Sequence, residues 1–259
     1  AGIGTLCHEF THCLGLPDMY DTSGNDGNTA ANYGMGNWDL MNSGSYNNNG
    51  YTPAGYTSWE RMMAGWLEPV ELTTDTYVAD MKPLSEGGQS YIIYNPAYRN
   101  EYYMIEHRAK TAWDKYIPSE GMLILHVDYD EKIFNYYNAP NTFMSGVNDH
   151  QRLTIFHADN TEGDRNETTD PYPYGNYNVL SNYSTPAATL HNTNSDGTKN
   201  MNIRVNRIRK NDDGTMSFVF GDWASADNSV LFAESFDDCN GRGANDDSWL
   251  TFQIANSAF

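Results

Sequence analysis

The chain has 259 residues, 39% of them hydrophobic, with 34 acidic against 15 basic side chains and a net charge of −19. This length suits one large domain or two modest ones with a sizeable core. The negative charge argues against a nucleic-acid surface, because phosphate binding needs clustered Lys and Arg. No run of residues approaches the roughly 20 apolar side chains of a membrane span. We therefore expect neither a nucleic-acid partner nor a transmembrane segment.

The first residues carry a pattern typical of a catalytic zinc site. His8 and His12 are four residues apart, so on a helix both imidazoles point to one side and can bind one ion. Glu9 then lies beside the metal as a general base for a water whose pKa the metal lowers. Gly15 predicts the left-handed stop of this helix. The following turn brings Asp18 within reach as a third ligand, leaving the fourth position open.

Several alternatives to this interpretation stay open. The five-residue HExxH pattern occurs by chance in ordinary amphipathic helices, although the extension to HExxHxxGxxD makes chance a weaker explanation. Cys7 adjoins the first histidine, but its direction on the helix, about 100° away, points it away from the ion. Glu60 would be the third ligand in a gluzincin-type peptidase. A binding or adhesion module with a structural zinc would need a fourth protein ligand, and none is evident near the other three.

A second motif strengthens the peptidase interpretation. The metzincin signature is HExxHxxGxxH followed by a methionine-containing turn, and here Asp18 replaces the last histidine while residues 38–44, WDLMNSG, supply the turn. The combination of CHEFTHCLGLPDMYD and WDLMNSGSY resembles the immune inhibitor A family of secreted bacterial zinc metallopeptidases. Residues 101–108 and 121–128 are similar to segments that follow the catalytic region in that family, so the resemblance is expected to reach residue 223.

The resemblance implies a set of functional expectations. It implies a secreted endopeptidase that cleaves proteins or peptides, with His8, His12 and Asp18 as zinc ligands and Glu9 as the catalytic residue. It implies that Met41 lies beneath the metal as an apolar floor, and it leaves Gly15 as a supporting residue. Metzincin-like domains normally place a twisted sheet and a helix ahead of the zinc helix. Because only seven residues precede His8, we expect a fragment that lacks the N-terminal half of the domain.

Residues 21–56 are rich in Gly, Asn, Ser and Tyr, which predicts long loops at the rim of the site. Tyr46 is a candidate donor to the oxyanion formed during peptide hydrolysis. Asp21, Asn25 and Asp26 are candidates for a small calcium loop, although turn chemistry explains them equally well and they lack the spacing of an EF-hand.

The remaining sequence predicts one helix and then a β-rich module. Thr57 and Glu60 form a capping box, and an aromatic and methionine stripe up to Trp66 predicts a core-packed helix that ends at residues 67–69. His126 and Asp128 share one face of a strand, where they could be structural residues, calcium ligands or partners of the metal ligands. Short apolar runs predict strands at residues 91–94, 102–105, 122–125, 153–156 and 216–220.

Together these patterns predict an α+β protein in three parts. Residues 1–69 would be the C-terminal part of a metzincin-like catalytic domain, with the zinc helix, the methionine turn and a closing helix. Residues 70–223 would be a β-rich module packed beside it. Residues 224–259 would begin a further β-sandwich domain, with residues 231–238 as its first strand.

Overall fold

The structure is a computed structural model that describes residues 2–23, 34–135, 139–161 and 167–222. The predicted sandwich domain at 224–259 lies outside the described residues. Helices and sheets are both present, which confirms the α+β class. None of the described helices is long and apolar enough to cross a lipid bilayer.

Residues up to Gly221 form one compact unit, which contains all the helices and strands of the described part. The helices and strands are α1 (Gly4–His12), α2 (Ser58–Met63), β1 (Val70–Glu71), β2 (Thr76–Met81), β3 (Tyr91–Tyr94), β4 (Glu101–Arg108), β5 (Gly121–Asp128), β6 (Leu153–Ile155), β7 (Leu180–Ser181), β8 (Arg204–Lys210) and β9 (Met216–Phe220). The five strand predictions all fall on observed strands, and β1, β2, β7 and β8 are additional to them.

The first sheet has the strand order β1-β3-β4-β5-β6. Strand β1 runs parallel to β3, and the other pairs are antiparallel. Strands β4 and β5 pair along their full lengths, from Glu101 opposite Asp128 to Arg108 opposite Gly121. Every residue of both strands is buried. Because successive side chains of a strand point to opposite faces, this sheet is covered on both sides.

The second sheet covers one face of the first. It has the antiparallel order β2-β9-β8-β7. Tyr103 and Ile105 of β4 share one apolar core with Val205 of β8 and Phe218 of β9. All four residues are completely buried. Sheet-on-sheet packing of this kind removes the alternate residues of both sheets from water and stabilises the fold through their apolar area.

The segment that carries the predicted metal site covers the other face. Tyr102 and Met104 of β4 pack in a second core with Trp38, Met41 and Trp59. These five side chains are almost completely buried. A fully buried large apolar side chain contributes about 1.5–3 kcal/mol, so this layer holds the N-terminal segment firmly on the sheet.

Helix α2 is shorter than predicted. Its capping box is confirmed, since Thr57 accepts from the Glu60 backbone and the Glu60 carboxylate accepts from Thr57 N at 2.7 Å. The helix ends at Met63, because Gly65 turns the chain with a φ of +74°. The core prediction holds for Trp59, but it was wrong for Met63 and Trp66, whose side chains are 45% and 57% exposed.

A buried guanidinium joins this segment to the first sheet. Arg108, at the end of β4, donates five hydrogen bonds: two to Asp114, one to Glu106, and one each to the carbonyls of Trp38 and Gly55, at 2.7 to 3.2 Å. Burial alone lowers the pKa of Arg108, but the charges of Asp114 and Glu106 outweigh it and raise the pKa. All five N–H groups of the guanidinium are therefore satisfied.

Replacing Arg108 by Met should lower the free energy of unfolding by about 3–5 kcal/mol, because buried carboxylates lose their cation. Urea denaturation of Arg108→Met measures this loss. The matched control is Arg99→Met, since Arg99 is 57% exposed and pairs with Glu71 on the surface, and we expect it to leave the midpoint almost unchanged. Equal midpoints for the two variants would contradict the role given to Arg108.

Three histidines form a second link, between the first sheet and the segment that follows β7. The ring of His191 stacks between His126, at 4.8 Å, and His150, at 3.7 Å. His126 is paired with Glu101 and His150 with Asp128, at 2.8 and 2.9 Å. Burial and the two neighbouring imidazoles lower the pKa of His191 to about 3, against the opposing effect of the two carboxylates.

This stack makes stability depend on pH. Unfolded His191 has a pKa near 6.5, so between pH 6.5 and about 3 the unfolded state binds more protons and the native state loses stability as the pH falls. The loss from one group is at most about 1.4 kcal/mol per pH unit. In His191→Gln, denaturation curves between pH 7 and 4.5 should show a smaller loss than the unmodified chain shows. Parallel pH dependence would contradict the lowered pKa.

Candidate metal centre

Helix α1 presents the predicted ligands because of how it packs and how it ends. Gly4, at its start, lies so close to the chain at Ser45 that a β-carbon would lie 1.8 Å from the Ser45 carbonyl oxygen. Thr11 is buried and donates to the Cys7 carbonyl at 2.7 Å. The helix ends at His12, and Gly15 adopts a φ of +88°, as predicted. The chain then turns back, which brings Asp18 to the histidines.

The three predicted ligands come together. Asp18 Oδ1 lies 3.1 Å from His8 Nε2 and 3.5 Å from His12 Nε2, and the two rings meet edge to face with centroids 5.0 Å apart. A tetrahedral zinc ion with bonds near 2.0–2.1 Å separates its ligand atoms by about 3.3 Å. The observed separations fit such an ion.

Backbone carbonyls fix the orientation of both imidazoles. His8 Nδ1 lies 2.9 Å from the Leu40 carbonyl and His12 Nδ1 lies 2.8 Å from the Leu16 carbonyl. A carbonyl only accepts, so each Nδ1 carries the proton and each Nε2 can direct its lone pair at the metal position. Histidine ligands of metals are usually held by such an outer partner.

The electrostatics of the centre favour a cation. Asp18 Oδ1 is buried, and it lies beside the Nε2 atoms of His8 and His12. The contact with Asp18 is the largest influence on the pKa of His8 and raises it; burial opposes this, while the Leu40 carbonyl and the charges of Asp18 and Glu9 add to it. Positive charge between Nε2 and Oδ1 is thus stabilised, by a proton or by a divalent ion.

The methionine turn holds two parts of the centre through adjacent carbonyls. The Leu40 carbonyl accepts from His8, and the Met41 carbonyl accepts from the Met19 backbone N–H at 2.9 Å, directly after Asp18. The Met41 side chain is fully buried in the core beneath this segment. Asp39 Oδ1 in turn accepts from Met41 N at 2.6 Å. The turn therefore positions His8 and the segment of Asp18, two of the candidate ligands, together.

Glu9 and two tyrosines surround the predicted ligands. Glu9 is exposed and lies close enough to His8 and Tyr20 for its charge to raise the pKa of both. The sequence patterns did not identify Tyr20 as a site residue, although it lies only two residues after Asp18. Burial, followed by the charge and hydrogen bond of Asp18, raises the pKa of Tyr20 to about 12. Tyr46 is 69% exposed and lies near Tyr20, so both phenols are at this site.

Two buried asparagines that the sequence did not single out hold the segment after Asp18. Asn42 and Asn141 each donate from Nδ2 to the Met19 carbonyl at 2.9 Å. Asn141 lies far along the chain and also donates to the Leu153 carbonyl at 2.7 Å. No local pattern marks Asn141, because its partner is 122 residues away. The candidate third ligand is thus positioned by two residues that lie far apart in the sequence.

The alternative ligands do not join the centre. His8, His12 and Asp18 form the one three-membered group of His, Cys, Asp or Glu with metal-binding spacing in the described ranges. Cys7 and Glu60 are both outside this group, and one carboxylate oxygen of Glu60 accepts hydrogen bonds in its capping box. A structural site closed by four such ligands is therefore not found in that part of the chain.

The calcium expectation gains no support. Asp21 is buried and accepts from Ser23 N at 2.9 Å, as in an ordinary turn, while residues 25 and 26 lie outside the described residues. His126 is one of the three stacked histidines and pairs with Glu101, and Asp128 pairs with His150 of the same stack. Asp128 also accepts from Arg152 Nη1 at 2.8 Å, so their contacts are structural.

Two histidines and an aspartate that converge in this way are a ligand set typical of metallohydrolases. Residues 1–67 match the family model described as the immune inhibitor A peptidase M6 catalytic domain. No curated protein and no solved structure matches the chain. The match supports a peptidase and contains all the predicted site residues. We expected the resemblance to reach residue 223. The match supports it over residues 1–67 alone, a range that ends just before β1.

Replacing Asp18 by Ala should weaken zinc binding at least about 100-fold, because loss of an outer partner alone typically weakens it 10–100-fold. A competition titration with a chelator of known affinity measures this change. Asp80→Ala, at an exposed position of β2, is the matched control and should bind zinc like the unmodified chain. Unchanged affinity in Asp18→Ala would point to a different third ligand.

Proposed function

We propose that this chain carries the zinc centre of a secreted endopeptidase that hydrolyses peptide bonds in proteins. The observation that carries the proposal is the convergence of two carbonyl-fixed imidazoles and Asp18 Oδ1. The family match over residues 1–67 supports a peptidase, and the resemblance of the two motifs supports zinc as the metal and secretion as the destination.

His8, His12 and Asp18 would hold the zinc ion, and the open side would accept water and the substrate carbonyl. When bound, zinc supplies a Lewis acid that lowers the pKa of water and polarises the carbonyl. The carbonyl contacts of His8 and His12 keep both Nε2 atoms directed inward. The protein therefore supplies a preformed arrangement of donors.

Glu9 performs the proton transfers in this proposal. Its carboxylate accepts a proton from the attacking water, whose oxygen forms a bond to the carbonyl carbon. The resulting carboxylic acid then gives the proton to the amide nitrogen as the C–N bond breaks, which restores the carboxylate. Exposure of Glu9 and its electrostatic proximity to His8 suit this role.

Tyr46 and Tyr20 are the phenols near the position of the developing oxyanion. Tyr46 is exposed and free to turn toward a bound substrate, whereas Tyr20 is hydrogen-bonded to Asp18. A phenol donor that meets the oxyanion stabilises the transition state more than the ground state. We therefore assign oxyanion stabilisation to Tyr46 and orientation of Asp18 to Tyr20.

Glu9→Gln should retain zinc with an affinity within about threefold, and should lower kcat/KM at least about 100-fold, as expected for loss of a general base. Cleavage of casein by the full-length protein, with zinc content measured in parallel, tests this. Glu68→Gln is the control, since Glu68 is exposed just beyond the matched residues. Activity within about tenfold in Glu9→Gln would contradict the role of Glu9.

A further inference from the structure

We propose that Asp39 and Glu60 share one buried proton, and that this carboxyl pair is a positioning device that locks the methionine turn in the form that orients His8. The inference rests on the proposed zinc site for its functional meaning. The pair itself is defined by the burial and contacts of the two side chains.

Both carboxyl groups are withdrawn from water, and each has one satisfied oxygen and one unsatisfied oxygen. Asp39 and Glu60 are 0% exposed. Asp39 Oδ1 accepts from Met41 N, and Glu60 Oε2 accepts from Thr57 N at 2.7 Å and from the Thr57 hydroxyl at 3.1 Å. The remaining atoms, Asp39 Oδ2 and Glu60 Oε1, are buried and receive no bond from an N–H or hydroxyl of the described residues.

A shared proton satisfies both remaining oxygens. The two side chains are within hydrogen-bonding reach of each other. Two ionised carboxylates in contact would repel each other in a buried setting, whereas a carboxylic acid donates one strong hydrogen bond to a carboxylate. One proton between Asp39 Oδ2 and Glu60 Oε1 therefore replaces repulsion by a bond.

The charged groups around the pair do not take the place of that proton. The buried charged groups that act on it are the carboxylate of Glu106 and the guanidinium of Arg108, and the partly buried Arg61 lies near Glu60. Arg108 directs its five N–H groups to Asp114, Glu106 and two carbonyls, so none reaches the pair.

The pKa values agree with this assignment. Burial, then the charge of Asp39, raises the pKa of Glu60 well above its ordinary value, against the opposing effects of Thr57 and Arg108. Burial raises the pKa of Asp39 to about 6, against the opposing bond from Met41 and charge of Arg108. The proton resides mainly on Glu60, and Asp39 is the acceptor.

The pair is connected to the metal centre through the turn. Asp39 fixes Met41 N, and between them the Leu40 carbonyl accepts from His8 while the Met41 carbonyl holds the segment after Asp18. Glu60 anchors Asp39 to α2, which packs on β4 of the first sheet. Loss of the proton would push Asp39 away from Glu60, and the two carbonyls that orient the ligands would shift with it.

The experiment compares Asp39→Asn, Glu60→Gln, the double variant and Glu60→Ala. In Glu60→Gln the amide oxygen can accept from Thr57 while the amide N–H donates to Asp39, which reproduces the shared proton. In Asp39→Asn the amide N–H donates to Glu60 Oε1 in the same way. The double variant directs two amide N–H groups at each other, so a shared proton predicts tolerated single changes and a damaging combination.

We expect each single amide variant to keep a urea midpoint close to that of the unmodified chain and a zinc affinity within about threefold. The double variant should lose at least tenfold more zinc affinity than the product of the single effects, with a matching drop in midpoint. Glu60→Ala should weaken zinc binding, and Glu60→Gln should not. Additive effects, or a double variant as stable as the single ones, would overturn the proposal.

Infrared spectroscopy detects the proton directly and needs neither zinc nor activity. A carbonyl band of a buried carboxylic acid should be present near neutral pH and absent in Glu60→Gln. The unmodified chain should also lose stability relative to Glu60→Gln as the pH rises above about 4.5, because the folded state binds the Glu60 proton more tightly than the unfolded state does. The same band in the unmodified chain and in Glu60→Gln would overturn the proposal. This comparison holds even if the double variant does not fold. Failure of the zinc site alone would leave the band and the pH dependence in place.

Discussion

The hydrogen bonds of the Arg108 guanidinium are the interaction on which the arrangement of the candidate metal site depends. The guanidinium is completely buried at the end of β4, where the first sheet meets the segment that carries the methionine turn. Its bond to the Trp38 carbonyl holds the residue directly before Asp39, and its bond to the Gly55 carbonyl holds the chain before α2. An Arg serves here because its planar fork satisfies two carboxylates and two carbonyls at once, which a Lys cannot do.

From that anchor, a short series of contacts reaches the metal ligands. Trp38 leads into Asp39, Asp39 fixes Met41 N, and the Leu40 and Met41 carbonyls hold His8 and the segment of Asp18. The ligands themselves come from eleven consecutive residues, but their precision comes from the sheet beneath them. A metal site on a nine-residue helix would fray in isolation, since isolated helices of that length are marginal in water. Tertiary packing supplies the rigidity that the local sequence lacks.

The sequence predicted that the three candidate ligands converge, because their spacing is local. His8, His12, Gly15 and Asp18 obey helix and turn geometry, and the structure brings the three ligands together as that geometry requires. Helix faces were less predictable: Leu6 and Phe10 are 67% and 63% exposed, although they have the apolar character of core residues. The prediction that Trp66 packs in the core was also wrong, because α2 ends before Gly65 and the apolar stripe does not continue as a helix.

Residues that act through distant partners left no sequence signal. Asn141 holds the Met19 carbonyl from 122 positions away, and Arg108 reaches back 70 positions to Trp38. Asp39 reads in the sequence as part of a methionine turn, and Glu60 as part of a capping box. The capping box explains only one oxygen of Glu60, and the turn explains only one oxygen of Asp39. A buried polar atom without a hydrogen-bond partner costs about 1–3 kcal/mol. The second oxygen of each residue can find its partner only when the fold brings the two motifs together. With the proposed shared proton, two local motifs, each complete by its own rule, thus become one element that supports the candidate metal site.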